Sequence, residues 1–195
     1  MTVLEDLTYQ RVHEAMRQVQ REGFLPASQH GASHLDQPLD IGHGQTNSQP
    51  TTVRNMLALL DVQPGDRVLD VGSGSGWTTA LIAHLTGPDG EVIGVEIVPE
   101  LAQAGAENLE ATDQPWASIE QATTGSFGAP ERAPFQRILV SAGADSMPET
   151  LIAQLDVGGV MVVPVAGTML KITATRGAPL IEEHGKYRFV PLVAS

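Results

Sequence analysis

The chain contains no cysteine, which excludes disulfide bridges, thiol catalysis and cysteine-ligated metal. It is also poor in positive charge: 11 Lys and Arg stand against 23 Asp and Glu, a net charge of -12. That balance opposes the phosphate neutralisation behind nucleic-acid binding, so neither nucleic acid nor an anionic membrane is an expected partner. No apolar run approaches the roughly 20 residues needed to span a bilayer, and the opening TVLEDLTYQR is acidic and amphipathic, unlike a secretory leader. A soluble cytoplasmic protein is the expectation. Repeats, low-complexity tracts and linker-like breaks in composition are missing too, so the 195 residues are expected to form one domain. None of the six histidines stands in an H-E-x-x-H motif, and no metal site is expected.

Apolar residues make up 42% of the chain, enough to bury a core, and their spacing alternates between helix and strand periods. Leu4, Leu7, Val12, Met16 and Val19 predict an amphipathic helix to about Glu22, stopped by Gly23 and Pro26. A loop-rich segment follows up to Pro50, then a helix marked by Val53, Met56, Leu57 and Leu60. Beyond it the pattern predicts strand 68–71, a helix from Trp77, strand 92–97, helix 100–109, strand 116–120 and a strand from Arg137. A short helix is expected at 151–155, then three strands beginning at Gly158, Leu170 and Lys186, the last two antiparallel because only short connections separate them. Helices alternating with strands imply a sheet covered on both faces.

The most informative stretch is VLDVGSGSGW at 68–77, a short apolar strand that carries an acid and runs at once into glycines. Gly72, Gly74 and Gly76 lack the Cβ atoms that would keep a ligand from the turning backbone, and a helix opens behind them at Trp77. Strand, glycine loop and helix form the entrance of a nucleotide-binding βαβ unit. A dinucleotide fingerprint has the spacing G-x-G-x-x-G, so the spacing here argues against NAD. Asp70 would repel a pyrophosphate but attract the amino group and sulfonium of S-adenosyl-L-methionine. Glu96 ends the second strand, VIGVEI, where its carboxylate can accept hydrogen bonds from both ribose hydroxyls of either nucleotide.

Upstream, IGHGQTNSQP at 41–50 has little secondary-structure logic of its own. Gly42 and Gly44 open the backbone, while Gln45, Thr46, Asn47 and Ser48 offer a dense set of small hydrogen-bonding groups suited to an anionic acceptor. Ser48 is equally placed to cap the helix that begins at Pro50, an interaction worth about 1 kcal/mol. His43 fits either a substrate contact or a loop histidine satisfied by backbone, and Trp77 either a cofactor contact or a core residue.

Together, PLDIGHGQTNSQP and VLDVGSGSGW resemble the protein-L-isoaspartate O-methyltransferase family, whose matching segments read approximately PLPIGHGQTISQP and VLEIGTGSGY. VQREGFLP at 19–26, FGAPERAPF at 127–135, LIAQLDVGGVMVVPV from Leu151 and YRFVPLV at 187–193 extend the likeness over nearly the whole chain. The resemblance implies an α/β, Rossmann-like S-adenosylmethionine-dependent methyltransferase fold. Its central sheet would be mostly parallel, with helices on both faces and antiparallel C-terminal strands. Residues 1–60 would supply an N-terminal helix and the acceptor side, and 61–195 the cofactor-binding sheet. The implied reaction is methylation of the free carboxylate of L-isoaspartyl residues in damaged proteins or peptides, with S-adenosyl-L-homocysteine as product, by a monomer.

By the same resemblance, Ser48 takes the family's active-site serine position and Thr46 lies beside it, both positioning the acceptor. Gly72, Ser73, Gly74 and Gly76 would line the methionine and ribose side, Asp70 would sit near the charged methionine end, and Glu96 would hold the ribose. Three departures stand out. Thr124 falls where the family carries an aspartate facing the adenine amino group, a loss worth roughly 1 to 3 kcal/mol of one polar contact. Asn47 replaces a usually aliphatic residue, either altering which carboxylate is accepted or pointing to solvent, and Gln136 replaces a common aspartate. Two alternatives stay open: a carboxyl methyltransferase for a dedicated aspartyl peptide, and a binding protein or NAD-dependent oxidoreductase on the same architecture.

Overall fold

The structure is a computed structural model that describes residues 3–123 and 125–193. Helix α1 (Val3–Gln18) is followed by two 3-10 helical turns, Arg21–Phe24 and Ala27–Ala32, and by a two-stranded antiparallel hairpin, β1 (Leu39–Gly42) and β2 (Gln45–Asn47). The hairpin and the Ala27–Ala32 turn fall in the segment expected to be loop, while α1 ends at Gln18 and the Arg21–Phe24 turn replaces the end of the helix expected to reach Glu22. The Gly-His-Gly tip explains the hairpin: Gly42, His43 and Gly44 all take positive φ, at 90°, 55° and 72°, a conformation glycine reaches without steric cost.

Helix α2 (Pro50–Leu60) leads into the sheet, built from β3 (Arg67–Val71), β4 (Glu91–Glu96), β5 (Ala117–Gln121), β6 (Phe135–Val140), β7 (Leu155–Val165), β8 (Thr168–Thr173) and β9 (Leu180–Lys186). Helices α3 (Trp77–Thr86), α4 (Pro99–Glu110) and the short α5 (Glu149–Ile152) connect them. The strand order is β5-β4-β3-β6-β7-β8-β9, with β5 to β7 parallel neighbours and β8 and β9 antiparallel. From β3 the chain builds outward to β5, then returns to lay β6 on the other side. That reversal opens a crevice beyond the C-terminal ends of β3 and β6, the place where open α/β sheets bind ligands.

The alternation along each strand sorts the core onto two faces. Val68, Val92, Leu139 and Val162 pack with α1, α2 and α3, whereas Leu69, Ile93, Ile138 and Met161 face the other way. The covering is unequal: the second face lies under α5, the 3-10 turn Pro130–Arg132 and loops carrying Phe127 and Met147. Gln136 faces the end of the sheet away from the crevice, where its Oε1 accepts the Arg67 backbone N–H at 2.8 Å. Two boundaries further along the chain also depart from the sequence reading. The short helix lies at Glu149–Ile152, and Leu155 already belongs to β7. The last strand is Leu180–Lys186, not a strand from Lys186 onward: Tyr187–Val193 leaves the sheet edge and crosses back toward the crevice, held by Gly143 N–H to Val190 O and Leu192 N–H to Gly143 O, both 2.8 Å.

Candidate active site

Beyond β3 the backbone turns at Gly72 (φ 78°), whose N–H, with that of Ser73, donates to the Val95 carbonyl at the end of β4. Next, the Gly74 N–H donates to Glu96 Oε2 at 2.8 Å, while Val98 N–H donates to Oε1 at 3.0 Å. Glu96 is thereby fixed at the lip of the crevice. A carboxylate can accept about four hydrogen bonds, so two acceptor sites remain for a ligand. Glu96, Gly72 and Gly74 line a cleft that opens to solvent. Its far wall is apolar, from Phe127, Val190 and Leu192.

Gly76 plays a different part from the one expected. It lies outside the cleft lining, and a Cβ there would stand 2.9 Å from the Gly105 carbonyl oxygen of α4, so its small size serves helix packing. Ser73 is buried with its side chain turned over Gly94, where a Cβ on Gly94 would meet Ser73 Cβ at 3.0 Å, and its hydroxyl has no hydrogen-bond partner. Asp70 sits one layer beneath the expected position. Its carboxylate is fully buried and accepts from Thr79 Oγ1 at 2.7 Å, Thr78 Oγ1 at 2.8 Å and Ser141 Oγ at 3.4 Å. Burial pushes its pKa up to about 6, against the lowering effect of those hydroxyls. It reaches the crevice through Thr78 and Ser141, which line it.

On the acceptor side the hairpin leans on the glycine loop: Ile41 Cδ1 lies 3.3 Å from where a Gly74 Cβ would be. Ser48 is half-buried and lines a narrow cleft with Thr46, Gly72, Gly74 and Ser141. Thr46 is exposed and lines both clefts, so it stands where they meet. Ser48 does not cap α2. The cap residue is Gln49 without a side-chain bond, and the helix's Thr51 N–H is satisfied at 2.8 Å by Asp36 Oδ1, a contact that holds the Asp36 pKa below the usual carboxylate range. The Ser48 hydroxyl is thus free of the structural duty the sequence allowed it.

Asn47 does not face solvent, and although it borders the narrow cleft its amide is engaged on both sides. It is 6% exposed, accepts from Arg21 Nε at 2.8 Å through Oδ1, and donates through Nδ2 to Ser75 Oγ at 3.1 Å. Arg21, 5% exposed, also donates to the carbonyls of Leu35, Gln37, Asn47 and Ser48 and lies 5.6 Å from the Trp77 ring centroid. Burial pushes the Arg21 pKa down to about 10, so it stays charged at neutral pH. Trp77 is a core residue, its indole N–H donating to Val19 O at 3.0 Å. His43 stands exposed at the hairpin tip, and Thr124 lies outside the described residues. Among the described residues no group of three or more His, Asp or Glu is placed to hold a metal, and no helix is long and apolar enough to cross a membrane. Sequence reasoning missed Arg21, Ser141 and the segment from Val190 to Val193, because each depends on a long-range approach that local periodicity does not encode.

The family model for protein-L-isoaspartate(D-aspartate) O-methyltransferase matches residues 5–195. A curated protein-L-isoaspartate O-methyltransferase of Aeropyrum pernix is 48% identical over 85% of this chain, which spans 64% of that relative's length. One of Methanopyrus kandleri is 43% identical over 94% of this chain and 83% of its own. Among solved structures, a Plasmodium falciparum protein assigned to the same activity, in complex with S-adenosyl-L-homocysteine, superposes with a TM-score of 0.84 at 26% identity, covering 98% of this chain and 97% of its own. With the glycine loop, Glu96 and the Thr46–Ser48 hairpin meeting at one crevice, the chain belongs to the protein-L-isoaspartate(D-aspartate) O-methyltransferase family.

Proposed function

We propose that this chain methylates the free carboxylate of L-isoaspartyl residues in damaged proteins or peptides, using S-adenosyl-L-methionine and releasing S-adenosyl-L-homocysteine. The observation that carries this reading is the convergence of Thr46 and Ser48 with Gly72 and Gly74 around one narrow cleft in a member of this family. The residues fit the cofactor: Glu96 keeps acceptor sites free for ribose hydroxyls, and the glycine turns leave the cleft floor without side chains. When bound, S-adenosyl-L-methionine supplies an electrophilic methyl group on a sulfonium.

The protein's own contribution is placement. An acceptor carboxylate, with an ordinary pKa near 4, is already ionised at neutral pH and needs neither base nor metal. Ser48 and Thr46 hydroxyls donate hydrogen bonds that orient it, and the apolar Val190 and Leu192 wall helps exclude water. Alignment of this kind can supply roughly 7 to 11 kcal/mol of a barrier. The buried charge of Asp70 favours a cationic ligand above it through Thr78 and Ser141. Because both polar atoms of the Asn47 side chain are already engaged by Arg21 and Ser75, it gives no support to a dedicated aspartyl-peptide substrate. The enzyme is taken as a cytoplasmic monomer acting on damaged polypeptides.

The test compares an isoaspartyl peptide with its aspartyl isomer in the presence of S-adenosyl-L-methionine. Base-labile methyl ester on the isoaspartyl peptide alone supports the reading; ester on the aspartyl isomer alone, or on neither, rejects it.

A further inference from the structure

Asn47 stands between a buried cation and the glycine loop, and its orientation is not arbitrary. A guanidinium only donates hydrogen bonds, so the group facing Arg21 Nε must be the amide oxygen, which leaves the amide nitrogen facing Ser75 Oγ. Arg21 in turn donates to the backbone carbonyls of Asn47 and Ser48 at 2.9 and 3.0 Å, so residues 47 and 48 are held from behind as well as from the side. Ser75 belongs to the glycine loop, and its carbonyl is fixed by Asn108 Nδ2 of α4 at 3.0 Å. The Asn47 to Ser75 hydrogen bond thus joins the acceptor hairpin to the loop beneath the donor cleft. An aliphatic residue here would leave Arg21 Nε and Ser75 Oγ without these partners.

We propose that Asn47 is a positioning residue that, held by Arg21, latches the hairpin to Ser75 and so sets the spacing between Ser48 and the glycine loop. This rests on the methyl-transfer reading for its catalytic consequence but not for its structural one. Cofactor contacts assigned to Glu96, Gly72 and Gly74 do not pass through Asn47. Loss of the latch therefore leaves cofactor affinity and changes alignment, to which transfer between two bound reactants is most sensitive.

The experiment uses the full chain and the variants Asn47→Ala, Ser75→Ala, their double variant and Asn47→Asp. In the ligand-free protein, hydrogen exchange of the hairpin amides at 39–47 is expected to quicken up to about tenfold in each alanine variant, with little more in the double variant. Asn47→Asp keeps an acceptor for Arg21 and a second oxygen for the Ser75 hydroxyl, and is expected to restore protection. In methyl transfer, Asn47→Ala is expected to lower kcat at least about tenfold, while the acceptor KM and S-adenosyl-L-homocysteine affinity stay within about threefold. Unchanged exchange, or additive effects of the two alanines, overturns the latch. Quickened exchange with unchanged kcat overturns the positioning role. Wild-type protein that binds no S-adenosyl-L-homocysteine removes the functional reading instead, and exchange in the variants then decides the latch by itself.

Discussion

Two carboxylates bracket the glycine loop, and they differ in how their charge is held. Glu96 accepts two backbone N–H groups and faces the cleft, whereas Asp70 is sealed beneath it among three hydroxyls. For Glu96→Ala the expected result is a loss of S-adenosyl-L-homocysteine affinity of about 10- to 100-fold, read by calorimetry. Asp70 makes a pH prediction. Its folded pKa, about 6, lies above the ordinary carboxylate value near 4, so between those values the native state binds the extra proton. The stability tied to that proton is present below pH 4 and is lost as pH rises through 6, on the order of 3 kcal/mol. Urea unfolding of wild type and Asp70→Asn should therefore diverge between pH 4 and 6, with wild type losing ground as pH rises; parallel profiles would contradict the assignment. At this scale the sequence placed Glu96, Thr46 and Ser48 on the cleft. It put Asp70 near the charged methionine end but could not give its depth, because a motif gives an acid's position in the chain alone; Asp70 meets the crevice through Thr78 and Ser141.

Among elements, the parallel strands and their helices were legible because strand and helix periods are local. The hairpin at 39–47 was not, since a three-residue tip at positive φ and a bulge between Asp40 and Gly42 break the alternation that signals strands. Nor was the C-terminal strap: YRFVPLV is apolar enough for a strand, yet Pro191 lacks the N–H a central ladder needs, and the segment covers the crevice instead. Packing of α4 on the glycine loop carries a consequence. A Cβ on Gly105 would lie 2.7 Å from the Gly74 carbonyl oxygen, although the backbone there suits any residue. Gly105→Ala should cost about 1 to 3 kcal/mol in unfolding free energy and weaken S-adenosyl-L-homocysteine binding by displacing the loop. Lost stability with unchanged binding would show that the loop holds its shape without α4.

For the whole molecule, the reversal of strand order between β3 and β6 creates the donor cleft, and the N-terminal segment, anchored by Trp77 and Arg21, brings the hairpin over it. The family resemblance implied a mostly parallel sheet with antiparallel C-terminal strands, whereas the strand order was not legible in periodicity, which sees each strand alone. Charge acts at this scale too: in a chain of net charge -12, Arg21 is a buried cation held against residues 47 and 48 of the hairpin. The central claim is that donor and acceptor meet between the glycine loop and Ser48. It is tested most directly by single-turnover transfer of labelled methyl from S-adenosyl-L-methionine to an isoaspartyl peptide, with wild type and Ser48→Ala matched for cofactor binding. The account predicts base-labile label on the wild-type reaction's peptide and a loss of at least about tenfold in the variant. Equal transfer by the two proteins would contradict it.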